Sequence, residues 1–329
     1  MAAQLPKTMF AWRKHKGNPE PVWEEVPVPT VRPRGVLIKL LASGVCHSDH
    51  SLLTNENQRP WLEQKYTLGH EGCGEIIEIG DQIKDSGFQD QSLQLLFQAA
   101  ERTIVQNARG ISLNFAKELI TPGIGQDGFY APCAHLDIRA IAKVPGNIPS
   151  HVAAVATDAV KTSYHAIMRR GEVKPTETVV LFGLGGLGFN ALQIVLHVGA
   201  RVIVSDVRQE RLDEAVKIGV PKEDAIPAGK SVQEFLKRRD LRRGGKMVCI
   251  GTLDTENTIG MKIGIRKRLT INFTYGGQIR DLKEVLELIS MGVVQRQVET
   301  AGLKEFPVIL KDLYDGKVKA RVALVPQGS

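Results

Sequence analysis

The sequence predicts an α/β protein of two domains, an irregular β-rich domain followed by a doubly wound parallel sheet. Three observations carry this expectation. The first third is strand-like and punctuated by glycine and proline; from residue 178 strands alternate with helices; and an alternating segment at 317–325 is placed to return to the first domain. At 329 residues there is length for two cores. Hydrophobic residues at 43% and charged residues at 24% match a folded globular chain, which excludes disordered and collagen-like classes.

Alternation at 35–41 and the β-branched stretch 75–79 mark strands of the first domain. Then come a strand at 178–182, a helix at 187–197, a strand at 201–206 and a helix at 210–218, the pattern of right-handed parallel crossovers. Helices follow at 282–291 and 306–313. The uncharged run 178–200 has the length of a membrane span, but its five glycines with Asn190, Gln193 and His197 read instead as a strand, a glycine turn and a helix. No membrane association is expected. The 43 basic against 36 acidic residues leave a formal charge of +7, which favours an anionic ligand without indicating nucleic acid, and 5% aromatic residues argue against single-strand binding. The cysteines, Cys46, Cys73, Cys133 and Cys249, form no CxxC pair, and residues 1–7 lack an apolar signal core. A reducing, cytoplasmic compartment is the expectation.

Gly183-Leu184-Gly185-Gly186-Leu187-Gly188 fits GxGGxG between an apolar strand and an apolar helix, the context a dinucleotide fingerprint requires. Gly183 serves the tight turn, Gly185 and Gly186 admit a pyrophosphate, Gly188 permits close packing, and Leu187 opens the helix. Asp206 ends the next strand at the spacing of a ribose acceptor, which favours NAD(H) and repels a 2′-phosphate, while Arg208 beside it pulls the other way. Gly44-Val45-Cys46-His47-Ser48-Asp49 and Gly69-His70-Glu71-Gly72 each offer a zinc-ligand type in a loop beside a strand.

Together with Asp127-Gly128-Phe129-Tyr130-Ala131, the glycine loop and Gly316-Lys317-Val318, these motifs resemble the zinc-dependent medium-chain alcohol dehydrogenases and reductases. The resemblance spans most of the chain and implies a divergent, truncated member. It implies a GroES-like catalytic domain at 1–160, completed by 292–329, and a Rossmann NAD-binding domain at 161–291, with zinc, nicotinamide and substrate in the cleft between them. It also implies one catalytic zinc, with Cys46 and His70 as ligands and with Asp49 and Glu71 orienting His70 or the metal. Ser48 would bond the substrate oxygen and carry its proton, and His47 would face the cofactor pyrophosphate. Where the family's third ligand is usually cysteine, residues 153–164 place Asp158. A carboxylate is an acceptable zinc ligand, and it is equally a helix N-cap. An outer relay histidine is expected two residues beyond Asp49, where Ser51 stands, with His50 one position early. The activity implied is hydride transfer between NAD(H) and a small alcohol or carbonyl substrate. A member without hydride transfer, acting by binding or in a redox-neutral reaction, is the alternative.

The pattern departs from the family twice. Residues 101–116 contain no cysteine, with Asn107 and Ala116 where thiolates are expected, so a structural zinc is not expected. Between Arg239 and Gly244 roughly one βα unit, on the order of 30 residues, is missing. Residues 246–250 are expected to fill the vacated strand position beside the first parallel strand, with 251–254 near the nicotinamide, because an empty position would leave buried backbone groups unpaired. The basic cluster 237–246 reads as a solvated helix end. A homo-oligomer is expected, with the apolar strand 269–274 at its contact.

Overall fold

The computed structural model describes residues 5–54, 64–84, 94–98, 121–229, 244–250, 261–295, 297–318 and 321–326. The chain divides into two compact units. The first comprises Met1–Asp158, Gln278–Ser290 and Gln295–Ser329, and the second Ala159–Gly277 with Met291–Val294.

In the first unit β1 (Thr8–His15) pairs antiparallel with β2 (Val22–Pro27) and with β4 (Lys65–Thr67). A larger sheet is built on β3 (Gly35–Gly44), which pairs with β5 (Glu71–Ile79) and with β9 (Cys133–Asp137). Along β3 the residues Val36, Ile38 and Leu40 point to one face and pack with Ile76, Phe129 and Leu136, while Leu37 on the other face is buried against Met9 and Ala131, so the strand is covered on both sides. The terminal strand β17 (Arg321–Val325) does return to this sheet, pairing antiparallel with β3 and parallel with β16 (Val298–Gly302). At the end of β3 the chain turns into the short helix α1 (His47–Thr54), whose Leu53 carbonyl accepts from the buried Lys14 ammonium at 2.8 Å. That contact fixes the C-terminal end of α1 beneath β1.

The second unit holds the strand–helix alternation. β11 (Thr178–Phe182), β12 (Arg201–Asp206) and β13 (Ala225–Pro227) form a parallel sheet in the order β11-β12-β13, with α5 (Gly188–Val198) and α6 (Gln209–Lys217) as crossovers. β14 (Lys246–Ile250) and β15 (Thr270–Thr274) form a separate parallel pair. Residues 246–250 therefore do not fill the position beside the first strand: among the described residues β14 pairs with β15 alone. What anchors this pair is the helical segment His165–Gly171. Arg170 donates to the Phe273 carbonyl at 3.3 Å, the Asn272 amide donates to the Arg170 carbonyl at 3.1 Å, and Lys246 donates to the Gly171 carbonyl at 3.3 Å. The open edge is visible in burial as well. β12 is buried through Val202–Asp206, whereas Val179, Val180 and Leu181 of β11 are half-buried and Phe182 is 65% exposed.

A second boundary differs from expectation. The helix Ile279–Ser290 falls in the first unit, where the Ser290 hydroxyl donates to Asn147 at 2.9 Å and the Asn147 amide donates to the Ser290 carbonyl. Its apolar face, Leu282, Val285 and Leu286, is fully buried, and an amphipathic helix carries no sequence mark of which core it will cover. Residues 101–116, 237–243 and 251–254 lie outside the described residues.

Candidate functional site

Four potential ligand side chains of the first unit converge. Cys46 enters from the turn after β3, His70 and Glu71 from the start of β5, and Asp158 from the turn that follows α3 (Ser150–Val155). One donor atom from each lies within 4.8 Å of the others, and among the described residues this is the one such group. Cys46 Sγ is 3.6 Å from Asp158 Oδ2, and His70 Nε2 is 3.8 Å from the same oxygen. Zinc bonds of about 2.0 to 2.3 Å set tetrahedrally put their ligand atoms about 3.3 to 3.7 Å apart, so the Cys46–Asp158 separation matches such an edge and the His70–Asp158 separation is slightly longer than one. His70 and Glu71 are buried, Cys46 and Asp158 half-buried, which leaves the group open on one side.

Asp158 lies inside a π-helical turn, Ala156–Val160, a widening that re-aims side chains and recurs at functional sites. It occupies no cap position: the residue before α3 is Pro149, and the residue before the next helix, α4 (Lys161–Tyr164), is Val160. Of the two roles the sequence leaves open, Asp158 does not take the cap, and its carboxylate stands among the converging side chains.

Glu71 is fully buried. Its Oε1 accepts from the Arg321 guanidinium, delivered by β17, while Oε2 is buried without a hydrogen-bond partner. Burial pushes the Glu71 carboxyl up to about 7, against the pull of Arg321 and with help from the charge of Asp158. An orphaned buried acceptor beside a thiol, an imidazole and a second carboxylate is a donor set a divalent cation satisfies. Space for it depends on Gly44, where a Cβ would fall 1.9 Å from Glu71 Oε2.

Asp49 contacts two of the four converging residues. Its Oδ2 accepts the Cys46 backbone N–H at 3.0 Å, and its Oδ1 faces His70 Nδ1 at 3.3 Å, leaving Nε2 toward the cluster. Burial opposes protonation of His70, but Asp49, Asp158 and Cys46 outweigh it and hold the imidazole well above its usual value. Ser48 Oγ is 3.6 Å from Cys46 Sγ and so borders the cluster. His47 is exposed on α1, with the Leu313 carbonyl as its hydrogen-bond partner and Arg321 as a charged neighbour. His50 stacks on Tyr314 with ring centroids 4.0 Å apart and is not one of the converging four. Two participants escaped the sequence reading, Arg321 and the hydroxyl of Tyr130. The signal for Arg321 was a lone arginine in the alternating strand 317–325.

In the second unit the glycine loop has fingerprint geometry. Gly183 sits at φ +84° with its N–H on the Ser205 carbonyl at 2.8 Å, and a Cβ at Gly188 would strike the Gly183 carbonyl at 1.8 Å. Asp206 Oδ2 accepts the Leu184 N–H at 2.5 Å and Oδ1 accepts the Arg208 N–H at 2.9 Å, so the acid braces the loop. Arg208 Nε lies 3.5 Å from the same carboxylate. Against burial, these donors hold the Asp206 carboxyl below its usual range. The Asn190 amide donates to the Gly186 carbonyl at 2.9 Å and the Ser163 hydroxyl to the Leu187 carbonyl at 2.8 Å, and Gly185, just before α5, accepts the Phe189 N–H at 3.1 Å.

Comparison with known proteins agrees with this picture. Residues 32–146 match the alcohol dehydrogenase GroES-like domain. An alcohol dehydrogenase of Geobacillus stearothermophilus is 27% identical over 325 residues, covering 92% of this chain and 94% of the relative. The acetophenone reductase of Geotrichum candidum NBRC 4597, solved in complex with NAD, superposes with a TM-score of 0.84 at 26% identity, covering 98% of each chain. The similarity along nearly the whole chain supports a place in the medium-chain alcohol dehydrogenase family. The chain is an alcohol dehydrogenase-like oxidoreductase built from a GroES-like and a Rossmann unit. A shorter match, 31% identical over 218 residues, is to the L-threonine 3-dehydrogenase of Proteus mirabilis, so the family's range of alcohols leaves the substrate open. No helix among the described residues is long and apolar enough to cross a membrane.

Proposed function

We propose that this family member is a zinc-dependent oxidoreductase that passes hydride between NAD(H) and a small or medium alcohol or carbonyl compound. The observation that carries the reading is the convergence of Cys46, His70 and Asp158, with Glu71 as a further donor, on one group of donor atoms within 4.8 Å of one another. A zinc ion there would supply Lewis-acid polarisation of the substrate oxygen, and the nicotinamide the hydride. The chain's own residues do the rest. Asp49 orients His70, Ser48 holds and passes on the proton of the alcohol, and Arg321 anchors Glu71 by a hydrogen bond to Oε1, leaving Oε2 as the further donor. Asp206 supports preference for NAD(H), because a 2′-phosphate would be repelled by its carboxylate. Among the described residues β15 pairs with β14 alone; its other edge, with Phe273 73% exposed, supports a homo-oligomer, and the cysteine usage supports a cytoplasmic setting.

The experiment is NADH formation from NAD⁺ over a panel of alcohols, before and after chelation and zinc restoration. Activity that vanishes with the metal and returns with zinc is expected; metal-independent turnover, or none by the zinc-loaded protein, would overturn the reading. The second reading, a member that binds dinucleotide without hydride transfer, is favoured by one observation, the parting of the parallel sheet between β11 and β14. It predicts NADH binding by zinc-loaded protein with no turnover of any alcohol or carbonyl.

A further inference from the structure

We propose that Tyr130 is a positioning residue for the metal centre, its hydroxyl orienting Asp49 and, through Asp49, both Cys46 and His70. The inference rests on the metal reading above and adds a residue to it.

Tyr130 and Asp49 are both fully buried. The phenol oxygen lies 2.6 Å from Asp49 Oδ2 and 3.0 Å from the Gly44 carbonyl. A hydroxyl has one proton to donate, and the short contact to a carboxylate is the charge-assisted one. Asp49 then receives two firm hydrogen bonds, from the Tyr130 hydroxyl and from the Cys46 N–H, while its other oxygen faces His70 at 3.3 Å. Removing the phenol leaves a buried carboxylate with one firm donor, free to rotate away from the imidazole that it orients.

The ring itself is placed by other contacts. It packs on Phe306 with centroids 4.5 Å apart, and its backbone bonds Leu68 and Trp12 at 2.9 and 3.0 Å. Phenylalanine would satisfy all of these, so what the tyrosine adds at this position is the hydrogen bond to Asp49. Glycine 44, whose carbonyl is the second acceptor, is also the residue that makes room for Glu71. One hydroxyl thus stands within hydrogen-bond distance of the turn that delivers Cys46 and of the carboxylate that orients His70.

The test is the rate at which zinc-loaded Tyr130→Phe gives up its metal to a chromogenic chelator, together with the visible spectrum of the cobalt-substituted protein. Partners one step behind a ligand are worth 10- to 100-fold in metal affinity, so a residue one step further should quicken release by about three- to tenfold and shift the cobalt bands. Release within twofold of the unmodified rate overturns the proposal, whatever happens to thermal stability. Should Tyr130→Phe fail to fold, Asp49→Asn reads the same link: release at least as fast is expected, and unchanged release overturns the proposal. An unmodified protein that binds no metal overturns the metal reading and this inference with it, an outcome distinct from a metal-loaded pair with equal release.

Discussion

The buried pair of Glu71 and Arg321 offers the sharpest energetic test. The two lie 250 residues apart in sequence, Glu71 fully buried and Arg321 8% exposed, and their contact joins β5 to β17. Arg321→Met keeps most of the apolar stem and removes the charge. Breaking a buried pair by deleting one partner costs about 3 to 5 kcal/mol, because the remaining charge is left uncompensated. At about 2 to 4 °C per kcal/mol for a unit of this size, the melting temperature should fall by about 6 to 20 °C. The pH dependence has a fixed sign. The Glu71 carboxyl is raised to about 7 in the folded protein from an ordinary 4.5, so the stability its protonated form supplies is present below 4.5 and lost as pH rises through 7. Without Arg321 the carboxylate is still less welcome, the window extends above 7, and the variant's deficit should be larger at pH 8 than at pH 5. Glu71→Gln added to Arg321→Met should recover most of the loss, to within about 1 kcal/mol of the unmodified protein. The assay is denaturant unfolding of metal-stripped protein followed by tryptophan fluorescence. A single-variant loss below about 1 kcal/mol at pH 8, or equal losses at the two pH values, would refute the reasoning.

Gly44→Ala should cost about 1 to 3 kcal/mol and lower metal occupancy, since the new methyl falls on a carboxylate that Arg321 prevents from retreating; unfolding and metal content on one preparation check it. Asp206→Ala should weaken NADH binding about tenfold and narrow the preference over NADPH, because it removes the ribose acceptor and the brace on Leu184 together; fluorescence titration with both cofactors measures it. Phe273→Lys on the open edge of β15 should convert an oligomer to monomer in sedimentation, and an unchanged sedimentation coefficient would place the contact elsewhere.

How far the sequence carries the structure depends on how local the determining signal is. The glycine loop and its acid are local in pattern, and β11, α5 and β12 form where the alternation puts them. Cys46 and His70 were readable as ligand types, and the structure sets them beside Asp158, but whether Asp158 is ligand or cap turns on a π-helical winding that no residue pattern announces. Arg321 and Tyr130 went unread for a related reason. Each acts on a residue far away in the chain, and the alternation that buries Arg321 does not name Glu71 as its partner. Strand order was the weakest inference. Among the described residues β14 pairs with β15, Lys246 reaches the Gly171 carbonyl, and Arg170 and Asn272 tie β15 to the same helical segment, so the pair is held without β11. The helix Ile279–Ser290 shows the same indeterminacy, its apolar stripe being compatible with either core until Asn147 and Ser290 close on each other.

The central claim is that Cys46, His70 and Asp158 hold one metal ion. The measurement that meets it most directly is anomalous X-ray scattering at the zinc edge from crystals of protein purified without chelator. A single peak is expected about 2.0 to 2.3 Å from Cys46 Sγ, His70 Nε2 and an oxygen of Asp158. No peak in that cluster from zinc-supplemented crystals, or a peak that persists unchanged in Asp158→Ala, would contradict it.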